Sequence, residues 1–73
     1  MTLDQVKRGQ CFKIVSIPSR LVRTQAIRLG IAEGEVVVCE EVVPAGPVVI
    51  RKNHQQLALG RGLARQIDVE LSQ

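Results

Sequence analysis

The sequence predicts a mainly β domain: a small β-barrel of about five short strands, with one short helix inserted after the first strand and one helical turn before the last. Three observations predict it. Short runs of strand formers recur along the chain with Gly, Pro or Asn between them. One stretch alone keeps helical spacing for several turns. The 73 residues make a single domain, 1–73, and closing so small a sheet is the simplest way to remove its exposed edges.

The elements follow in order. Thr2 to Gly9 is a lead-in, with Thr2 capping a turn that carries Leu3 and Val6 inward and Gly9 ending it. Cys11 to Ile17 is the first strand. Phe12 and Ile14 face one side, Val15 and Ile17 the other, so a bulge is expected. Pro18 stops the strand, Ser19 is placed to cap a helix, and Arg20 to Leu29 forms it. Val22, Ala26 and Leu29, at i, i+4 and i+7, make its apolar stripe, and Gly30 is the expected left-handed residue after it. Ile31 to Gly34 is a tight connection. Glu35 to Val43 is a β-branched strand, Pro44-Ala45-Gly46-Pro47 a turn, and Val48 to Lys52 the return strand. Asn53-His54 suits a hairpin turn because Asn tolerates positive φ, and Gln55 to Leu59 pairs next. Gly60 to Arg65 is one helical turn. Gln66 to Leu71 closes the chain, with Ile67, Val69 and Leu71 alternating against Asp68 and Glu70.

Composition narrows the function. There is one Phe and neither Tyr nor Trp, which excludes recognition by stacking bases or a polyproline helix on aromatic rings. Ten Lys and Arg against seven Asp and Glu give a net charge of +3. The whole surplus lies in residues 20–28, where Arg20, Arg23 and Arg28 stand with no acid. These arginines either keep a helix face soluble or form a basic patch for an acidic partner surface or a phosphate. Nucleic acid is not the expected partner, because three arginines make few phosphate contacts and no ring stacks beside them.

Catalytic constellations are scarce. The single His54 leaves no His-rich metal site, and no glycine-rich phosphate loop precedes a helix. A Cys–His nucleophile would need Cys11 or Cys39 with His54, and neither cysteine carries a local signature. No enzyme is expected. Two cysteines build no disulfide framework, and the start MTLDQ lacks the apolar core of a secretion signal, so free thiols in a reducing compartment are expected. His54 at the hairpin tip is a solvated turn residue or a weak surface ligand for Fe2+ or another divalent transition metal, helped by Glu40, Glu41 or a cysteine across the barrel, with Cys39 the cysteine chosen. No cofactor is expected to be required.

The order of the elements resembles the FeoA family, small cytoplasmic proteins of bacterial ferrous iron uptake. The resemblance covers residues 3 to 71. It is carried by Leu3 to Gly9 leading into Lys13-Ile14-Val15-Ser16-Ile17, and by Ile27-Arg28-Leu29-Gly30-Ile31 followed by Gly34. Gly46-Pro47-Val48-Val49-Ile50, and Leu57-Ala58-Leu59 through Ala64 to Ile67-Asp68-Val69, complete it. The chain departs from the family's usual residues at Gln25-Ala26, Arg28, Gly46-Pro47 and Gly60.

The resemblance implies a Src-homology-3-like small barrel. It implies a cytoplasmic accessory that docks on a FeoB-type membrane iron transporter, at its cytoplasmic GTP-binding domain, and meets the membrane only through that partner. Arg20, Arg23 and Arg28 are the residues we expect at that contact, and a homo-oligomer stays open. The alternative is a stand-alone metal-sensing or metal-binding domain, since similar barrels form the C-terminal domain of iron-dependent repressors.

Overall fold

A computed structural model describes residues 1–72. A short 3₁₀ turn at Leu3–Gln5 leads into five strands and two helices. In chain order these are β1 (Cys11–Ser16), α1 (Arg20–Arg28), β2 (Val36–Val42), β3 (Val48–Lys52), β4 (Gln55–Leu59), α2 (Arg61–Ala64) and β5 (Asp68–Leu71). The strands form one antiparallel sheet in the order β4-β3-β2-β1-β5. This is the expected mainly β, Src-homology-3-like architecture.

Two irregularities coil the sheet around its core. The β1–β5 register shifts between Ile14 and Ser16, and the β2–β3 register shifts between Cys39 and Glu41. Each leaves one residue more on one strand than on its partner, which bends the strand and sharpens its twist. The first shift is the bulge that the Val15 position called for. It corrects the expectation for Ile17: Val15 points to solvent, and Ile17 joins Phe12 and Ile14 in the core.

The core is aliphatic. Leu3, Val6, Phe12, Ile14, Ile17, Ile31, Val37, Cys39, Val48, Ile50, Leu59, Ile67 and Val69 are buried in one cluster. Val22 and Ala26 bring α1 onto that cluster and Ala64 brings α2. Strict alternation places Val37 and Cys39 inward on β2 and Val48 and Ile50 inward on β3.

Helix α1 starts where Pro18 has ended β1. The Ser19 Oγ accepts a hydrogen bond from the Val22 N–H at 3.3 Å, satisfying one free donor of the first turn. The helix ends in a Schellman arrangement. Gly30 has φ +89°, its N–H donates to the Ile27 carbonyl at 2.9 Å, and the Ile31 N–H donates to the Ala26 carbonyl at 2.9 Å. This turn corrects the predicted stripe. Leu29 is swung out to 40% exposure, and Ile31, two residues later, is the buried residue that closes the end of α1. Leu71 is likewise 45% exposed, although it pairs with the buried Phe12, because it is the last residue of β5 at the rim of the sheet.

The hairpins form where predicted. Asn53 has φ +57°, which lets a two-residue turn join β3 to β4. The β2–β3 turn places Ala45 at φ +56°, and the Gly46 N–H returns to the Val43 carbonyl at 2.8 Å.

Candidate functional site

Among the described residues no pocket opens into the fold. The chemistry-bearing residues singled out above therefore have to be judged by what they touch and how far they are exposed.

The three arginines of α1 are not equivalent. Arg23 is used by the fold. Its Nε and Nη2 donate to the Ile17 carbonyl at 3.2 and 3.0 Å, and Nη2 lies 3.8 Å from the Glu33 carboxylate. The same carboxylate accepts the Ile17 N–H at 2.8 Å. Ile17 has just left β1 and precedes a proline, so its backbone has no ladder partner. Arg23 and Glu33 satisfy both of its polar groups and tie α1, the end of β1 and the α1–β2 connection together. The other end of the helix has its own clamp. Lys52, on β3, donates to the Gly30 carbonyl and pairs with Glu35 at 2.8 Å.

Arg20 and Arg28 make no side-chain hydrogen bond or ion pair among the described residues. At 100° per residue the buried Val22 and Ala26 fix the direction of the core, and Thr24 lies on the opposite side. Arg20 and Arg28 flank Thr24, one helical turn to either side. Leu21 and Ile27 stand beside them, 71% and 58% exposed. The outward face of α1 is thus a mixed surface of two aliphatic side chains and two unpaired guanidinium groups, with no acid on the helix. Leu21 and Ile27 lie on the two flanks of this outward face, off the buried stripe. The signal was in the sequence. Leu21 and Ile27 fall off the Val22–Ala26 stripe, so a helical wheel leaves them in water.

The outer side of the sheet is the other exposed surface. Val36 and Val38 on β2 face outward at 53% and 39% exposure, opposite Lys13 and Cys11 of β1. Glu40, at the β2 irregularity, bonds Arg51 at 2.9 Å and also accepts from the Gln56 amide. These two donors hold its carboxyl below the ordinary carboxylate value.

Cys39 and His54 lie in different settings. Cys39 is fully buried opposite Ile50 on β3, and burial pushes its thiol up from the usual cysteine value. A thiol kept neutral in the core is a poor metal ligand, since the thiolate is the ligating form. His54 is exposed at the tip of the β3–β4 turn. Among the described residues no three His, Cys, Asp or Glu side chains converge to hold a metal ion. Cys11 is half-buried on the outer side of β1.

No helix of the described residues is long and apolar enough to cross a membrane.

A sequence profile of the FeoA domain matches residues 1–71. The structure is similar to the crystal structure of an iron uptake regulatory protein, FeoA, with a TM-score of 0.89 and 25% identity over 99% of this chain and 97% of that one. It is similar to a FeoA-like protein from Clostridium acetobutylicum, with a TM-score of 0.85 and 26% identity over 97% of this chain and 85% of that one. The manganese regulator SloR contains the same fold, with a TM-score of 0.88 and 20% identity; there this chain spans 34% of the longer protein, and the likeness is one of fold alone. No curated protein sequence matches the chain. The profile runs from the 3₁₀ turn through β5 and takes in every element of the sheet, and the chain belongs to the FeoA family.

Proposed function

We propose that this chain is a cytoplasmic, non-enzymatic accessory of ferrous iron uptake that docks on a FeoB-type membrane transporter, at its cytoplasmic GTP-binding domain. Family membership supports the role in ferrous iron transport. One observation supports α1 as the docking element: its outward face carries Leu21 and Ile27 in water beside the unpaired Arg20 and Arg28.

The two aliphatic side chains act as anchors in a shallow apolar groove of the partner, where burying each contributes about 1.5–3 kcal/mol before the costs of association. Arg20 and Arg28 meet acidic residues at the rim of that groove and speed the encounter through long-range attraction. Arg23 belongs to the scaffold in this scheme, because its guanidinium already holds Ile17.

A pull-down or calorimetric titration with the cytoplasmic part of the transporter tests the proposal. Leu21→Asp or the pair Arg20→Glu and Arg28→Glu abolishes binding and leaves the melting temperature within a few degrees of the wild type. Full binding by both variants overturns α1 as the contact. The metal-sensing alternative draws on the barrel shared with metal regulators, a likeness of fold alone. Titration with Fe2+ or Zn2+, with His54→Ala as control, measures whether any weak site involves this residue.

A further inference from the structure

The two edges of the sheet are treated differently. The free edge of β5 is covered by the start of the chain. The Leu3 N–H donates to the Ile67 carbonyl at 2.9 Å, the Val69 N–H donates to the Met1 carbonyl at 2.8 Å, and Thr2 bridges Asp68. The other edge, β4, has no such cover. No backbone group among the described residues pairs with its outer side.

The peptide groups that β4 turns outward can be named. The two-residue turn makes Lys52 and Gln55 a hydrogen-bonded pair. Alternation then directs the peptide groups of Gln55, Leu57 and Leu59 at β3, and those of Gln56 and Ala58 outward. An exposed edge is normally defended by a charge, a proline or a bulge. Residues 55–59, Gln-Gln-Leu-Ala-Leu, have no charge and no proline, and their register with β3 is unbroken. Leu57, at the middle of the edge, is only partly buried and packs on the core from this side.

We propose that β4 is a self-association edge, pairing antiparallel with β4 of a second copy about a two-fold axis through Leu57. Three features select a second copy over another occupant. The edge is self-complementary: with Leu57 facing Leu57, Gln56 of one protomer lies opposite Ala58 of its partner, and the two such pairs exchange four N–H···O=C bonds. The edge is uncharged, so two copies of a chain with net charge +3 meet where no like charges oppose them. The two Leu57 side chains come together on the core side and extend the apolar interior across the junction. Because β5 is already covered, pairing stops at two copies and does not grow into a fibre. A five-residue edge is small against the ~1,200 Å² of standard interfaces, so the pair is reversible and set by concentration.

Sedimentation velocity on the full chain over a roughly hundredfold range of concentration tests this by mass action. The wild type shifts from monomer to dimer and goes no further. Over the same range, amide exchange at Gln56 and Ala58 slows by about tenfold or more, while amides already paired inside the sheet keep their rates. Ala58→Pro removes an N–H that the isolated fold does not use, and it remains monomeric with an unchanged circular dichroism spectrum. Ala58→Lys keeps the backbone, places like charges near the axis and gives the same result, which covers the case of a proline variant that fails to fold. A wild type that stays monomeric throughout, a dimer that persists in Ala58→Lys, or growth beyond two copies overturns the proposal.

Discussion

Arg23, Glu33 and Ile17 show how one side chain can look like surface charge and act as scaffold. In the sequence Arg23 is one of three arginines on an acid-free segment; in the fold it helps satisfy the backbone of Ile17, just past the end of β1. Its ion pair is half exposed and worth little by itself, whereas the forked hydrogen bond to a backbone carbonyl is the stabilising contact. Arg23→Ala therefore lowers stability by about 1–2 kcal/mol in urea denaturation, while Arg20→Ala stays within about 0.5 kcal/mol. The cysteines separate in the same way. A thiol reagent at neutral pH modifies the half-buried Cys11 in the folded protein, and Cys39 reacts only after unfolding. Burial raises the Cys39 pKa above 9.0, so the fold favours its neutral form. That contribution is complete below the unfolded value and is lost as pH rises through the folded one, so stability falls on the alkaline side. Glu40 works in the opposite sense. Arg51 and Gln56 hold its carboxyl below 4.5, so its contribution is present above that value and is lost as pH falls through the folded pKa. Glu40→Gln flattens that acidic limb in a pH series of thermal melts.

At the scale of elements, most of the fold was legible in the sequence, and the misses have specific causes. Strands β3 and β4 match the expected residues because a left-handed Asn53 and the Pro44–Pro47 turn fix their ends and register. Leu29 was placed on the buried stripe by its i+7 spacing from Val22. The Schellman turn at Gly30 breaks that periodicity and gives the position to Ile31. A helical period predicts side-chain direction only up to the residue where the helix stops. Gly30→Ala forces a side chain into φ +89° and costs about 1 kcal/mol or more. Ile31→Ala removes a fully buried side chain and costs about 2–5 kcal/mol. Measured together by chemical denaturation, these values rank the turn after α1 among the sensitive points of the fold. The Arg23–Glu33 and Lys52–Glu35 clamps were not legible, because each joins residues of different segments that only the tertiary fold brings together.

On the scale of the whole molecule, the absence of Tyr and Trp acquires a structural meaning. One Phe and a set of Leu, Ile and Val fill a small coiled sheet, and no aromatic ring is left for its surface. The outward face of α1 sets Leu21 and Ile27 in water beside Arg20 and Arg28, and the family places the chain in ferrous iron transport. The site was half legible: the arginines were visible as a charge surplus, whereas the division of labour between Arg23 and its two neighbours required the fold. The most direct measurement is a titration of isotope-labelled chain with the cytoplasmic GTP-binding domain of a FeoB-type transporter, followed residue by residue by NMR. The account predicts that amide shifts gather on Leu21, Thr24, Ile27 and Arg28, and that the Arg20→Glu, Arg28→Glu double variant loses them while keeping its native spectrum. No shifts, or shifts that the double variant retains in full, would contradict it.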